Sequence, residues 1–151
     1  MNQLSKTNPP NLELSKVQGV EQRIQFLPDY ELVTHESLLY SLADKHFKDY
    51  TGGYWDFYHI SSTIDSQEDS APLMVLDQVD PIIISNDDNY SGPFTTDPIT
   101  ASVAINMLFL SRVSFLSHNP RHVDYFHILR EWAFDLYNDQ IDQEVVVSIT
   151  D

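Results

Sequence analysis

One stretch of the chain places an imidazole and two carboxylates at the spacing of a metal site. His127 follows Asp124 by three residues and precedes Glu131 by four, so on a helix the three side chains share one face. Such a face could offer ligands to a divalent ion that activates water for hydrolysis. A solvated polar face explains the same residues. It is the preferred interpretation, because no second histidine lies at helical spacing on that face.

Other motifs that carry chemistry are missing from the sequence. The chain contains no cysteine, which excludes thiolate nucleophiles, disulfides and zinc–thiolate centres. Gly52 and Gly53 are followed by Tyr54 rather than by the Lys-Ser or Lys-Thr of a phosphate-binding loop. The aspartates Asp77, Asp80, Asp87 and Asp88 lack the pattern of a calcium loop. The sequence therefore predicts a protein that is not an enzyme and that binds neither a metal nor another cofactor.

Charge is the strongest global signal. The 151 residues include 23 Asp and Glu against 8 Lys and Arg, a formal net charge of -15, and no Lys or Arg occurs between Asp49 and Ser111. An acidic surface repels nucleic acid and anionic lipid and speeds encounter with basic proteins. The charge therefore predicts a protein partner, without direct binding to nucleic acid or membrane. Solubility alone is the competing explanation.

The sequence also predicts where the protein resides. No apolar run reaches the roughly 20 residues that span a bilayer. Residues 1–10 are polar and lack the layout of a signal peptide. These features predict a soluble, cytoplasmic protein.

The pattern of apolar and polar residues predicts the helices and strands that position the candidate side chains. Residues 1–19 are polar without an apolar period, which predicts a flexible N-terminal arm, and residues 20–151 are predicted to form one domain. Asp97 and Pro98 form a helix start, and residues 98–116 are apolar on every side, as in a helix enclosed by the protein. The predicted class is α+β: a small antiparallel sheet of about four strands packed against three or more helices, one of them this buried helix.

Less regular patterns predict several short strands and one more helix. Residues 73–76 and 81–85 should form an antiparallel pair after a polar loop at 61–70, with an edge strand at 90–94. A helix over 120–138 should bury the apolar residues Tyr125, Phe126, Leu129, Trp132, Ala133 and Leu136, and expose the polar residues Asp124, His127, Glu131 and Asp135. Residues 145–149 fit either a strand or a helical turn.

Paired glycines lead directly into a ring-rich segment at residues 52–60. On a strand, the side chains Tyr54, Asp56 and Tyr58 lie on one face and Trp55, Phe57 and His59 on the other. Rings on both faces predict a strand in the middle of a small sheet with cover on both sides. Core packing alone explains many such rings. Gly52, Gly53, Trp55 and Phe57 are predicted to be structural.

This segment resembles the ArdB/KlcA family of antirestriction proteins, which plasmids and other mobile genetic elements carry. The specific part of the match is Asp49-Tyr50-x-Gly52-Gly53-Tyr54-Trp55-Asp56-Phe57-Tyr58. Weaker matches are Arg23-x-x-Phe26-Leu27-Pro28, Glu36 with Leu39-Tyr40, Tyr90-Ser91-Gly92, Tyr125-x-His127-x-Leu129-Arg130-x-x-Ala133 and Ile149-x-Asp151. Together the matches run in order over about residues 20–151.

The resemblance implies a non-enzymatic α+β domain in a bacterial host that protects incoming mobile-element DNA from a type I restriction–modification complex. Two mechanisms remain open. In one, the acidic surface mimics DNA in a basic groove; in the other, residues 52–60 or the C-terminal helix dock on the complex and block a conformational or translocation step. The candidate partner-binding residues are Tyr54, Asp56, Tyr58, Asp87, Asp88, Asp124, Glu131, Asp135 and Asp151.

Three other hypotheses stay open beside this one. The protein could be an acidic DNA mimic directed at a different DNA-binding or defence protein. It could be an interaction protein unrelated to restriction. It could also be a metal-dependent hydrolase that uses Asp124, His127 and Glu131, a hypothesis that requires those side chains to converge on one ion.

Overall fold

The computed structural model describes residues 11–16, 32–64, 67–116, 120–136 and 138–151. In chain order its elements are β1 (Asn11–Lys16), α1 (Leu32–His46), β2 (Trp55–Ile64), β3 (Gln67–Leu76), β4 (Ile82–Asn86), β5 (Ser91–Thr96), α2 (Pro98–Leu116), α3 (Pro120–Ala133) and α4 (Gln143–Thr150). The predicted α+β class is confirmed. The sequence match at residues 23–28 lies outside the described residues.

The described strands are antiparallel and form two sheets. β1, β2 and β3 make a three-stranded sheet with β2 in the middle, and β4 pairs with β5 in a separate two-stranded sheet. The ring-rich segment therefore does occupy the central strand of a small sheet, as predicted. Its pairing begins at Trp55, opposite Leu76, so the glycines and Tyr54 precede the strand.

Residues 61–70 belong to a long hairpin rather than to the predicted loop. β2 continues to Ile64, β3 begins at Gln67, and Ser61 pairs with Ser70 across them. The side chains there are mostly polar, so no apolar alternation signals a strand, although the backbone ladder is the same. The predicted pairing of 73–76 with 81–85 is wrong, since 73–76 pairs with β2 and β4 pairs with β5.

Part of the segment predicted to be a flexible arm is a strand in the structure. Asn11–Lys16 forms β1, in which Leu14 lies opposite Ile60. Its polar sequence can still pair, because a ladder satisfies backbone N–H and C=O groups whatever the side chains are. Residues 1–10 and 17–31 lie outside the described residues.

Helix α2 forms the centre of the core, as its uniform apolarity predicts. Pro98 begins the helix, and the Asp97 carboxylate caps it by accepting a hydrogen bond from the Thr100 N–H at 2.9 Å. By length and composition α2 could cross a membrane, but 61% of its most apolar window is buried inside the protein. It is therefore consistent with the core helix of a soluble protein.

Two buried polar side chains of α2 close the outer edge of β3. The Asn106 Nδ2 donates to the Met74 carbonyl at 2.7 Å, and its Oδ1 accepts from the Met74 N–H at 3.0 Å. The Ser102 Oγ accepts from the Leu76 N–H at 3.0 Å. These groups take the place of a neighbouring strand, so α2 lies along the edge of the three-stranded sheet.

Helices α3 and α4 complete the cover over α2. α3 ends at Ala133, earlier than predicted, and Leu136 beyond it is 94% exposed instead of buried. The other predicted apolar residues Tyr125, Leu129, Trp132 and Ala133 are buried, and Phe126 is half-buried. The tail is helical: the Asp142 side chain caps α4 at Val145, and the β-branched residues Val145, Val146 and Ile149 pack into the core.

Candidate protein-docking surface

Residues 48–54, which we call the glycine loop, connect α1 to the central strand. Positive φ angles occur at Asp49 (59°), Gly52 (96°) and Gly53 (136°). Residues that carry a side chain rarely adopt such φ angles, which explains why positions 52 and 53 are glycines. A Cβ on Gly53 would also lie 3.2 Å from the Leu76 Cδ1, whereas Gly52 faces open space. The loop therefore follows a path that the sequence specifies closely.

A cluster of aromatic rings fixes both ends of the glycine loop. The Trp55 ring stacks on Phe47 with centroids 6.4 Å apart and planes 12° apart, and its Nε1 donates to the Tyr50 hydroxyl at 3.1 Å. Tyr50 meets Phe47 edge-on at 6.0 Å, and Tyr40 lies 6.3 Å from Trp55. Such ring contacts hold a loop in one conformation before any partner arrives.

The glycine loop and the β3–β4 connection at residues 77–81 enclose a cleft of about 260 Å³. The Lys48 N–H donates to the Ile83 carbonyl at 2.9 Å, which ties the loop to β4. On the other side, the Gln78 Nε2 donates to the Asp80 carbonyl at 2.9 Å and holds the connection. Both walls of the cleft are therefore anchored by hydrogen bonds.

Beside this cleft, the glycine loop and the β3–β4 connection expose a ring, an aliphatic side chain and carboxylates. Tyr54 is 84% exposed and Val79 is 96% exposed. The Asp77 N–H donates to the Tyr54 carbonyl at 2.8 Å, which extends the β2–β3 ladder by one residue. Residues opposite each other in such a ladder place their side chains on one face, about 5 Å apart at Cβ. We call residues 48–54 and 77–81 together the glycine-loop surface.

The rest of the ring-rich segment is less accessible than Tyr54. Asp56, Phe57 and Tyr58 are half-buried, and Trp55 is buried within the aromatic cluster. The predicted row of three partner-binding residues on one face of β2 is therefore fully exposed only at Tyr54.

The β4–β5 turn presents Asp87 and Asp88, of which Asp88 is already paired. The Lys45 Nζ donates to the Asp88 Oδ2 at 2.7 Å. This hydrogen bond and the Lys45 charge lower the pKa of Asp88, and the charge of Arg112 lowers it further. Asp88 is thus partly neutralised within the protein.

Two asparagines join the same turn to the end of α4. The Asn86 Nδ2 donates to the Ile149 carbonyl at 2.8 Å, and the Asn89 Nδ2 donates to the Ser148 carbonyl at 2.9 Å and to that of Asp151 at 3.3 Å. These bonds satisfy carbonyls at the helix end that would otherwise lack partners. They bring Asp151 to the turn that holds Asp87, although the two segments are about 60 residues apart in sequence. The two asparagines of the turn are the only sequence signal that could have suggested this contact.

The acidic residues of α3 lie elsewhere and do not converge. Asp124, His127 and Glu131 are exposed on the helix, and Asp135 is half-buried just beyond its end. Across the described ranges, no group of three or more His, Asp or Glu side chains is placed to hold a metal ion. Within the described residues, Asp124, His127 and Glu131 are therefore not gathered with other ligands around one site.

The four aspartates around β4 fall into two pairs. Asp77 and Asp80 precede the strand, whereas Asp87 and Asp88 follow it. A five-residue strand spans roughly 16 Å. These carboxylates therefore do not form one continuous row.

A second, smaller cleft of about 140 Å³ lies between α2, α3 and α4. Phe126, Phe134 and Val147 line it together with Arg130 and Asp151. The Arg130 guanidinium lies 5.5 Å from the centre of the Phe134 ring. The C-terminal helix therefore contributes one wall of a cleft about the size of a single side chain.

No protein-family model matches the chain, and no curated protein matches its sequence.

Proposed function

We propose that this protein is an antirestriction protein that inhibits a type I restriction–modification complex of a bacterial host, and that it binds the complex through the glycine-loop surface. In this way it protects incoming mobile-element DNA in the host cytoplasm. The observation that carries the proposal is Tyr54, a ring that is 84% exposed on a loop fixed by buried aromatics. The glycine-loop motif also carries the resemblance to ArdB/KlcA proteins.

The placement of Tyr54 suits binding better than folding. Tyrosine supplies a large contact area with few rotatable bonds, and exposed tyrosines on rigid frames are frequent hot spots of protein interfaces. Because the Tyr54 ring is mostly exposed, it buries little area in the fold. Its replacement should therefore change binding more than stability.

The net charge of -15 supports a second mechanism, in which the protein mimics DNA toward the same complex or another DNA-binding or defence protein. Duplex DNA carries one charge per roughly 1.7 Å of axis, so a mimic needs a row of unpaired carboxylates. Asp88 is paired with Lys45, and β4 separates it from Asp77 and Asp80. Direct docking is therefore the preferred mechanism.

Plating of unmodified phage on a restricting host tests the function. Expression of the gene should raise the plating efficiency toward that on a host without restriction. Equal plating with and without the gene would sink the proposal.

A pair of tyrosine variants tests the surface. Tyr54→Ala should lose most of the protection, whereas Tyr90→Ala should keep it, although Tyr90, on the β4–β5 turn, is even more exposed at 95%. Thermal unfolding of both variants shows whether they are folded. Loss of protection in both, or in neither, would argue against docking through the glycine loop.

A titration of the purified complex separates inhibition by binding from catalysis. A non-enzymatic inhibitor should stop DNA cleavage at a fixed molar ratio to the complex. Full inhibition at a small fraction of that ratio would instead indicate that the protein turns over.

A further inference from the structure

We infer that the glycine-loop surface binds an arginine side chain of its protein partner, with the guanidinium lying on the Tyr54 ring and bonded to the Asp77 carboxylate. The inference rests on the proposed function, because the arginine belongs to the protein that this surface contacts. Beyond that function, it names the chemical group of the partner that this surface recognises.

The backbone places the two receptor groups side by side. The hydrogen bond from the Asp77 N–H to the Tyr54 carbonyl, at 2.8 Å, continues the register that pairs Trp55 with Leu76. Opposed residues in an antiparallel ladder share a face. Both side chains are exposed, and Gly52 and Gln78 next to them line the cleft. The pair therefore stands on the exposed surface beside the cleft, where a partner can reach it.

A ring beside a carboxylate is complementary to guanidinium in two ways. The ring face attracts a cation, and a planar guanidinium covers it better than an ammonium does. Its N–H groups can also form two parallel hydrogen bonds to a carboxylate. An arginine can make both contacts at once. A lysine ammonium covers the ring less well and lacks the planar pair of N–H groups.

The charges around the cleft favour a cation. The exposed carboxylates on the glycine-loop surface are Asp49, Asp77 and Asp80, and Lys48 is the base on that surface. The formal sum is negative, and the whole chain adds a long-range field of the same sign. A basic partner is therefore attracted first and then held by the Tyr54 and Asp77 pair.

The β4–β5 turn shows why a tyrosine near an aspartate is not sufficient. Tyr90 is 95% exposed and lies two residues from Asp88, but the Lys45 Nζ already occupies that carboxylate. Tyr90 and Asp87 of this turn therefore provide matched control positions.

A titration with two small probes tests the inference without the natural partner. The amide NMR spectrum of the whole protein is followed as N-acetyl-arginine-methylamide or the lysine equivalent is added. The arginine probe should shift the amides of Gly53, Tyr54 and Asp77 most, with saturation. It should bind at least about threefold more tightly than the lysine probe.

Four variants sharpen the test. Tyr54→Ala and Asp77→Asn should each weaken the arginine probe about threefold or more, since each removes one of the two contacts. Tyr54→Phe, which keeps the ring, should bind it more tightly than Tyr54→Ala does. Asp87→Asn, which removes an exposed carboxylate elsewhere, should bind it as the unaltered protein does. The same spectra show that each variant is folded.

Equal shifts with both probes, spread over all exposed carboxylates, would overturn the inference. So would undiminished binding to Asp77→Asn. The two proposals fail separately. If the arginine probe binds as expected but phage plating is unchanged, the antirestriction function is wrong; if plating rises and the probe does not bind, the arginine site is wrong.

Discussion

Asp88 and Lys45 show how a single carboxylate can be withdrawn from external binding in an acidic protein. They lie 43 residues apart in sequence, and their side chains meet at 2.7 Å on the surface. Exposed ion pairs contribute little to stability. The consequence therefore concerns the charge that the β4–β5 turn presents to a partner.

Replacement of Lys45 should release this carboxylate. In Lys45→Met the pKa of Asp88 should rise toward its ordinary value, because the Lys45 hydrogen bond and charge are the two largest causes of its lowering. Since the folded pKa is below the unfolded one, the pair stabilises the fold above the unfolded pKa, and that contribution is lost as the pH falls through the folded pKa. NMR titration of the Asp88 carboxyl carbon measures the change, and an unmoved midpoint would contradict the assignment.

The two loop glycines should differ in how they tolerate a side chain. Gly52→Ala adds only the strain of a positive φ, about 1 kcal/mol. Gly53→Ala adds a contact of 3.2 Å with the Leu76 Cδ1 as well, so it should destabilise the fold more. Urea unfolding of the two variants gives the comparison. Equal losses would mean that Leu76 yields without cost.

At the scale of elements, the edge of β3 depends on side chains of α2. Asn106 bonds both backbone groups of Met74, and all of these atoms are buried. A buried polar group that loses its partner costs free energy, since no water replaces it. The contact between α2 and the sheet is therefore polar at its centre, although the helix is apolar elsewhere.

Loss of the Asn106 amide should be costly. Asn106→Leu leaves the Met74 N–H and C=O without partners and should lower the free energy of unfolding by about 2–4 kcal/mol. Ser102→Ala removes one acceptor and should cost about 1–2 kcal/mol. Ser114→Ala, on the exposed side of the same helix, should change it by less than about 0.5 kcal/mol. Urea denaturation that ranked the three otherwise would refute this role of α2.

The sequence predicts elements where local chemistry and packing agree. Asp97 and Pro98 start α2, whose residues are apolar all round, and the buried face of α3 follows its 3.6-residue period. The polar halves of β2 and β3 carry no such alternation, so their hairpin depends on strand pairing alone. α4 contains β-branched residues, but the Asp142 cap and burial against α2 make it a helix.

The candidate site could be predicted only in part, because some of its contacts depend on residues far apart in sequence. The glycine pair and the rings mark the loop, since their types are local properties. The pairing of Tyr54 with Asp77 depends on strand register, and that of Asp88 with Lys45 depends on how α1 meets the β4–β5 turn. Neither register nor packing is encoded in a short window of sequence.

At the scale of the whole molecule, the acidic charge is distributed rather than concentrated. The candidate acidic residues lie at the glycine loop, at the β4–β5 turn with Asp151, and on the outer face of α3. A general negative field raises the rate of encounter with a basic partner and weakens with salt. Specific recognition must then come from one of these surfaces.

Two double variants with the same charge change separate docking from mimicry. Asp77→Asn with Asp80→Asn alters the glycine-loop surface, and Asp87→Asn with Asp88→Asn alters the β4–β5 turn; each removes two negative charges. Docking through the glycine loop predicts that only the first pair loses protection in the plating assay. Mimicry by overall charge predicts similar losses in both, increasing with salt in a cleavage assay with the purified complex.

The hydrogen bonds from α2 to the margin of β3 have a further consequence for solubility. Leu73, Met74, Val75 and Leu76 form an apolar strand segment, the kind that recruits identical segments into amyloid when its backbone is free. The Asn106 amide and the Ser102 hydroxyl of α2 already bond the Met74 N–H and C=O and the Leu76 N–H. Another strand therefore cannot pair with β3 at these positions. The packing of α2 against β3 should therefore also oppose the growth of fibrils from this strand edge.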